Sequence, residues 1–246
     1  MNISMMKIAL FGDSLTEGNF GVPFFDILKR DLPDHDLINF GEGGDTVISL
    51  YQRLERECKE GPFDLVILWI GVNDIFGRMT WIYRILNRIR KKPYSRNPAE
   101  FRTFYRATLE KLLDHARMIF AIEPLFIGER STNKWNTQLG ELCQVIQELS
   151  IEFENVEFVG LRSSFFEELK HRNLSEYLPT SVLQFLRDKA TLSSADQVDL
   201  KSNERGLHFT LDGVHLNSKG AKLVSDILYG KIKKFEQEAS CDGVFR

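Results

Sequence analysis

Five short apolar runs, separated by longer stretches of helical periodicity, constrain this chain more than any other feature. Residues 7–11, 36–40 and 64–70 are the clearest, and each stops at a glycine, Gly12, Gly41 and Gly71. Residues 117–126 and 155–159 complete the set. In Asp64-Leu-Val-Ile-Leu-Trp-Ile70 the apolar character is continuous rather than alternating, as a strand covered on both faces requires. Between the runs, helical patterns are expected at about 21–31, 46–59, 98–116, 133–152 and 218–236. In the last, Ala221, Val224, Ile227, Leu228 and Ile232 recur at three- and four-residue steps. Such alternation predicts an α/β fold with a parallel five-stranded sheet between helical layers.

The 246 residues suit one large α/β domain, 1–246, with enough interior to fold without staples. A net charge of −3 gives no general reason to expect a nucleic-acid partner. Cys58, Cys143 and Cys241 are odd in number and widely spaced, which argues for reduced thiols rather than a disulfide framework or structural zinc. No secretion signal follows Lys7, and nowhere do about 18 apolar residues run together as a membrane span needs. A cytoplasmic location is expected.

Two stretches break the alternation and are expected to be helical insertions near a site. Residues 75–99 hold seven Lys or Arg and no Asp or Glu, with Trp81, Tyr83 and Tyr94 among them. Ile82, Ile85, Leu86 and Ile89 fall on one helical face of this segment, with Arg84, Arg88 and Lys91 elsewhere. Residues 78–96 thus suit an ordinary helix packed by its apolar face, or peripheral contact with an anionic membrane surface. Residues 161–210 contain helical pieces such as 181–189 and polar ground at 193–205.

In an open parallel sheet, ligands bind beyond the carboxyl ends of the strands. Gly12-Asp13-Ser14, then Gly41, Gly43 and Gly44, then Gly71-Val-Asn73-Asp74 should converge there. A serine hydroxyl needs a neighbouring base to become a nucleophile. Of five histidines, His35 lies in a polar turn, His115 in an expected helix and His171 in a charged segment. His208 and His215 stand on either side of Asp212. Asp212 and His215, three apart in a glycine-containing turn, can place a carboxylate on Nδ1 and leave Nε2 free as a general base. The Ser14 and Gly44 N–H groups and the Asn73 amide would then make an oxyanion hole. Each residue has a plainer alternative. Ser14 can cap a helix, Gly44 can serve a turn, and Asn73, Asp13 and Asp74 can brace loops. Asp74 is also a rival acid partner, and His208 a rival base.

Phe11-Gly-Asp-Ser-Leu-Thr16, Asn39-Phe-Gly-Glu-Gly-Gly-Asp-Thr46, Gly71-Val-Asn-Asp74 and Asp212-Gly-Val-His215 resemble, in order, the four diagnostic blocks of the SGNH (GDSL) hydrolases. The resemblance implies a flavodoxin-like sheet in the order 2-1-3-4-5 and esterase, lipase, thioesterase or carbohydrate-ester activity. It also implies no metal or organic cofactor. By residue, Ser14 matches the nucleophile, Gly44 and Asn73 the oxyanion positions, and Asp212 and His215 the remaining triad positions. The expected substrate is a small-molecule carboxylic ester of short to medium acyl chain. The alternatives are a sugar O-acetylester, a lysophospholipid, acyl transfer to an alcohol, and a non-catalytic binding module. The stretch before Asp212 is longer than in minimal members of the family, which leaves the acyl pocket's shape open.

Overall fold

The structure is a computed structural model that describes residues 5–79, 85, 88–89, 91–178 and 181–241. Strands β1 (Lys7–Gly12), β2 (Asp36–Gly41), β3 (Phe63–Trp69), β4 (Ala116–Ile122) and β5 (Val156–Val159) pair in parallel in the order 2-1-3-4-5. The centre of that order belongs to the most apolar runs: Ile8 to Phe11 and Leu65 to Trp69 are buried on both faces.

The first helices are α1 (Ser14–Glu17), α2 (Phe24–Asp31), α3 (Val47–Glu57) and α4 (Val72–Met79). They are followed by α5 (Pro98–Leu113), α6 (Lys134–Glu152), α7 (Arg162–Leu169), α8 (Val182–Thr191), α9 (Ala195–Glu204) and α10 (Ser218–Cys241). Helices α3, α5 and α6 pack in sequence with one another, and α2 packs with α10, so helices flank the sheet in a three-layer α/β/α arrangement. Their starts are encoded locally. Thr46 and Ser49 form a reciprocal capping box, Asn97 caps α5 ahead of Pro98, and Asn133 accepts from Trp135 and Asn136 N–H.

Several features differ from the sequence reading. β4 ends at Ile122 because Pro124, two residues on, has no N–H for a ladder. Leu125, Phe126 and Ile127 are buried in a loop instead. Helix α2 begins only at Phe24, after Pro23, which leaves 18–23 as a loop. The polar ground at 193–205 is largely helix α9, capped by Ser194 and anchored by buried Val198 and Ser202. In the basic segment, Trp81, Ile82, Tyr83, Arg84 and Leu86 lie outside the described residues, whereas Ile85 and Ile89 are 47% and 71% exposed. That exposure is at odds with a helix packed by this apolar face.

Candidate active site

The site begins where β1 meets β3. A Cβ on Gly12 would lie 2.2 Å from Thr16 Oγ1 and 2.5 Å from the Trp69 carbonyl, so only glycine lets the chain turn here. Asp13 caps the short helix α1 by accepting the Leu15 N–H (3.0 Å), and Ser14 follows as its first residue. Ser14 Oγ lies 3.0 Å from His215 Nε2, across 201 positions of sequence. On the far side of the ring, His215 Nδ1 lies 2.8 Å from Asp212 Oδ2. The other oxygen of Asp212 accepts the N–H groups of Val214 (3.0 Å) and His215 (2.8 Å), so the turn's own backbone aims the carboxylate.

The charges in this turn are coupled. Burial alone would lower the His215 pKa, but the charge of Asp212 and its hydrogen bond outweigh that and raise it above the ordinary histidine value. Burial would raise Asp212, yet the same pairing holds it below the ordinary carboxylate value. Asp13, buried and close enough to sense His215, is pushed up to about 7, chiefly by desolvation. Asp74 is pushed up to about 6 by the same cause. Its oxygens accept from Val47 N–H (3.0 Å) and Ser95 N–H (2.8 Å), which makes it a brace between the start of α3 and the loop at Ser95, while Asp212 is the carboxylate on His215. His208, the rival base, has its Nε2 3.2 Å from the Asn173 carbonyl, whereas Ser14 Oγ meets His215.

The loop after β2 carries Gly44 at φ 80°, a left-handed conformation that favours glycine. Asn73, near the start of α4, donates from Nδ2 to the Asp45 carbonyl (2.8 Å) and so ties this loop to the end of β3. Beneath it the Asp45 carboxylate binds Ser49 Oγ, Lys92 Nζ (both 2.8 Å) and Arg53. Lys92 also donates to the Gly43 carbonyl (3.0 Å), and Arg53 to the carbonyls of Gly12 (3.1 Å) and Phe40 (2.7 Å). The basic segment thus ends by clamping the glycine loop.

Glu129, fully buried, has no counterpart in the sequence reading. It accepts from the N–H groups of His208 (2.7 Å), Phe209 (2.7 Å) and Thr210 (2.9 Å) and from the Thr210 hydroxyl (2.8 Å). Thr210 Oγ1 in turn accepts Gly213 N–H (3.2 Å), and Gly128 N–H donates to the Gly213 carbonyl (2.7 Å). The Asp212–His215 turn therefore rests on residues 128–129. A lone glutamate after an apolar run carries no local mark of such a role. Among the described residues, no cluster of three or more His, Cys, Asp or Glu is placed to hold a metal ion.

Known proteins share this fold. Solved structures with the same fold include an acetyl xylan esterase, 22% identical over 92% of this chain and 100% of that one, at a TM-score of 0.65. An acetylxylan esterase from Geobacillus stearothermophilus is 19% identical over 94% of this chain and 96% of that one, at 0.64. Structures of the latter include catalytic mutants with a serine, an aspartate or a histidine replaced by alanine. An α/β hydrolase from the metagenome of Lake Arreo, Spain, is 16% identical over 92% of this chain and 94% of that one, also at 0.64. Comparison with curated proteins finds no match. Residues 10–223 match the GDSL-like lipase/acylhydrolase family, and the chain belongs to that family as an esterase.

Proposed function

We propose that the chain hydrolyses small-molecule carboxylic esters through an acyl-enzyme on Ser14. The Ser14–His215–Asp212 relay, with its 3.0 Å and 2.8 Å contacts, is the observation that carries the reading. Ser14 Oγ attacks the carbonyl carbon while its proton passes to His215 Nε2, and the carbonyl electron pair moves onto oxygen. That oxyanion meets the Ser14 and Gly44 N–H groups and the Asn73 hydrogen not engaged by Asp45. Collapse expels the alcohol, which takes the proton from Nε2. Water then enters by the same route in reverse, releasing the acid and restoring Ser14. Asp212 holds the imidazole's tautomer and stabilises its charged form.

Ser14→Ala is expected to abolish hydrolysis of p-nitrophenyl acetate and butyrate, and to abolish labelling by a fluorophosphonate. Full activity in that variant would remove the assignment. The acetyl xylan esterases of like fold favour de-acetylation of a sugar as the second reading. A chain-length series beside a panel of acetylated sugars separates the two, and an added sugar acceptor tests acyl transfer. We further propose that 1–246 is one domain in which 75–99 and 161–210 are insertions framing the site. Residues 78–96 would meet an anionic lipid surface, supported by exposed Ile85 and Ile89 beside Arg88 and Lys91. The buried, unpaired thiols of Cys58 and Cys143 support a cytoplasmic setting. Among the described residues, no helix is long and apolar enough to cross a membrane.

A further inference from the structure

Two phenylalanine rings from distant parts of the chain meet the His215 imidazole. Phe20, buried in loop 18–23, meets it edge-on, with centroids 4.8 Å apart and planes at 71°. That loop is pinned to the triad turn by the Val22 N–H, which donates to the Leu216 carbonyl at 2.8 Å. Phe185, on α8, stands 6.0 Å from the imidazole at 34° and 5.0 Å from Phe20 at 75°. Helix α8 is keyed to the same turn. Its buried Asp188 pairs with buried Arg205, whose other nitrogen donates to the carbonyl of Leu211 (2.9 Å), the residue before Asp212. Phe20 lies against the small apolar cluster of Val198 and Leu211, whereas Phe185 is only half-buried.

The proton that Nε2 takes from Ser14 must be returned to the leaving oxygen. The departing alcohol therefore passes within hydrogen-bond reach of Nε2, beside whatever flanks the imidazole. Resting on the Ser14 acyl-enzyme, we propose that Phe185, backed by Phe20, forms a leaving-group subsite for alcohols that carry a ring with an apolar face, aryl or sugar. An aromatic wall discriminates such a ring from a small alkyl alcohol by buried area and by ring geometry. Nothing in that contact requires a particular acyl group.

The test holds the acyl group constant. Phenyl acetate, a monoacetylated methyl xyloside and trifluoroethyl acetate all form the same acetyl-enzyme, so differences in kcat/KM report the alcohol alone. In Phe185→Ala the preference for the ring-bearing esters over trifluoroethyl acetate is expected to fall about tenfold. Phe185→Leu keeps the apolar bulk and should lose about half of that on a logarithmic scale. Fluorophosphonate labelling of Ser14 verifies a folded site in each variant, and the leucine variant decides if the alanine one does not fold. A fall confined to the phenyl ester or to the xyloside identifies which ring the subsite takes. Preferences unchanged in both variants, or an equal fall for all three esters, would overturn the subsite. Failure of the acyl-enzyme itself would show separately, as hydrolysis that survives Ser14→Ala.

Discussion

Asp212 and Asp13 both act on the His215 imidazole through charge, and their effects can be told apart by pH. In the proposed base role His215 must be neutral, so activity is expected to rise with pH through its pKa, which lies above the ordinary histidine value of 6.5. Asp212→Asn removes the main raising cause and leaves desolvation, so the acid limb of the kcat/KM profile should move to lower pH. The same change should reduce kcat by on the order of 10³–10⁴-fold, through loss of the correct tautomer. An unmoved limb would mean that Asp212 does not set the imidazole's charge. Asp13 poses the opposite problem. A carboxyl with a folded-state value of about 7 against 3.8 unfolded remains neutral while the unfolded chain ionises. Stability present at low pH is therefore lost as pH rises from about 4 to about 7. Asp13→Asn keeps the cap on Leu15 but cannot ionise. Its Tm should match the parent's near pH 4 and exceed it by several degrees at pH 8, read by thermal melts across that range. Equal Tm values at both pH extremes would show that Asp13 carries no such burden.

At the scale of elements, the turn of Asp212 and the loop of Gly44 are each held from outside by one side chain. Glu129→Gln can keep the three bonds accepted by Oε1 but sets an NH₂ against the His208 N–H, a mismatch worth about 1–3 kcal/mol. Because the proposed triad's Asp212–His215 turn rides on that segment, kcat should fall about 10- to 100-fold with KM little changed. A loss of Tm alone would make Glu129 a purely structural brace. Lys92→Met removes the ammonium that joins Asp45, Glu42 and the Gly43 carbonyl. With Arg53 still paired to Asp45, a partial loss is expected, about tenfold in kcat at constant KM, as the proposed oxyanion role of that loop requires. Neither residue was legible in the sequence. Their contacts span 79 to 81 positions for Glu129 and 47 to 50 for Lys92, and nothing nearby marks them. The meeting of Ser14, His215 and Asp212 was legible because each stands at a strand end or in a glycine turn, where local pattern and location coincide. The last part of the fourth run misled for a related reason: Leu125-Phe126-Ile127 is as buried as a strand, and burial alone does not distinguish a strand from a covered loop.

Taken as a whole, the molecule carries a slight negative charge but concentrates cations in one place, and that asymmetry bears on where an ester would be met. Arg88 and Lys91 are exposed beside Ile85 and Ile89, so cationic and apolar side chains face solvent together. An apolar group placed next to lysine and arginine gains from an anionic lipid surface both by burial and by charge. Through Lys92 the same segment reaches the loop of Gly44, which links the surface physically to the site. The chain is expected to sediment with phosphatidylserine-containing vesicles and not with phosphatidylcholine vesicles, and to be released by about 0.5 M salt. Ile89→Asp should abolish that binding while hydrolysis of p-nitrophenyl acetate in solution continues. Binding to both vesicle types alike would remove charge from the account, and binding to neither would leave the segment as a solvated cover over the site. The two halves of the substrate question can then be tested apart: vesicle binding reports which esters would arrive, and the alcohol series on the rings around His215 reports which alcohols would depart.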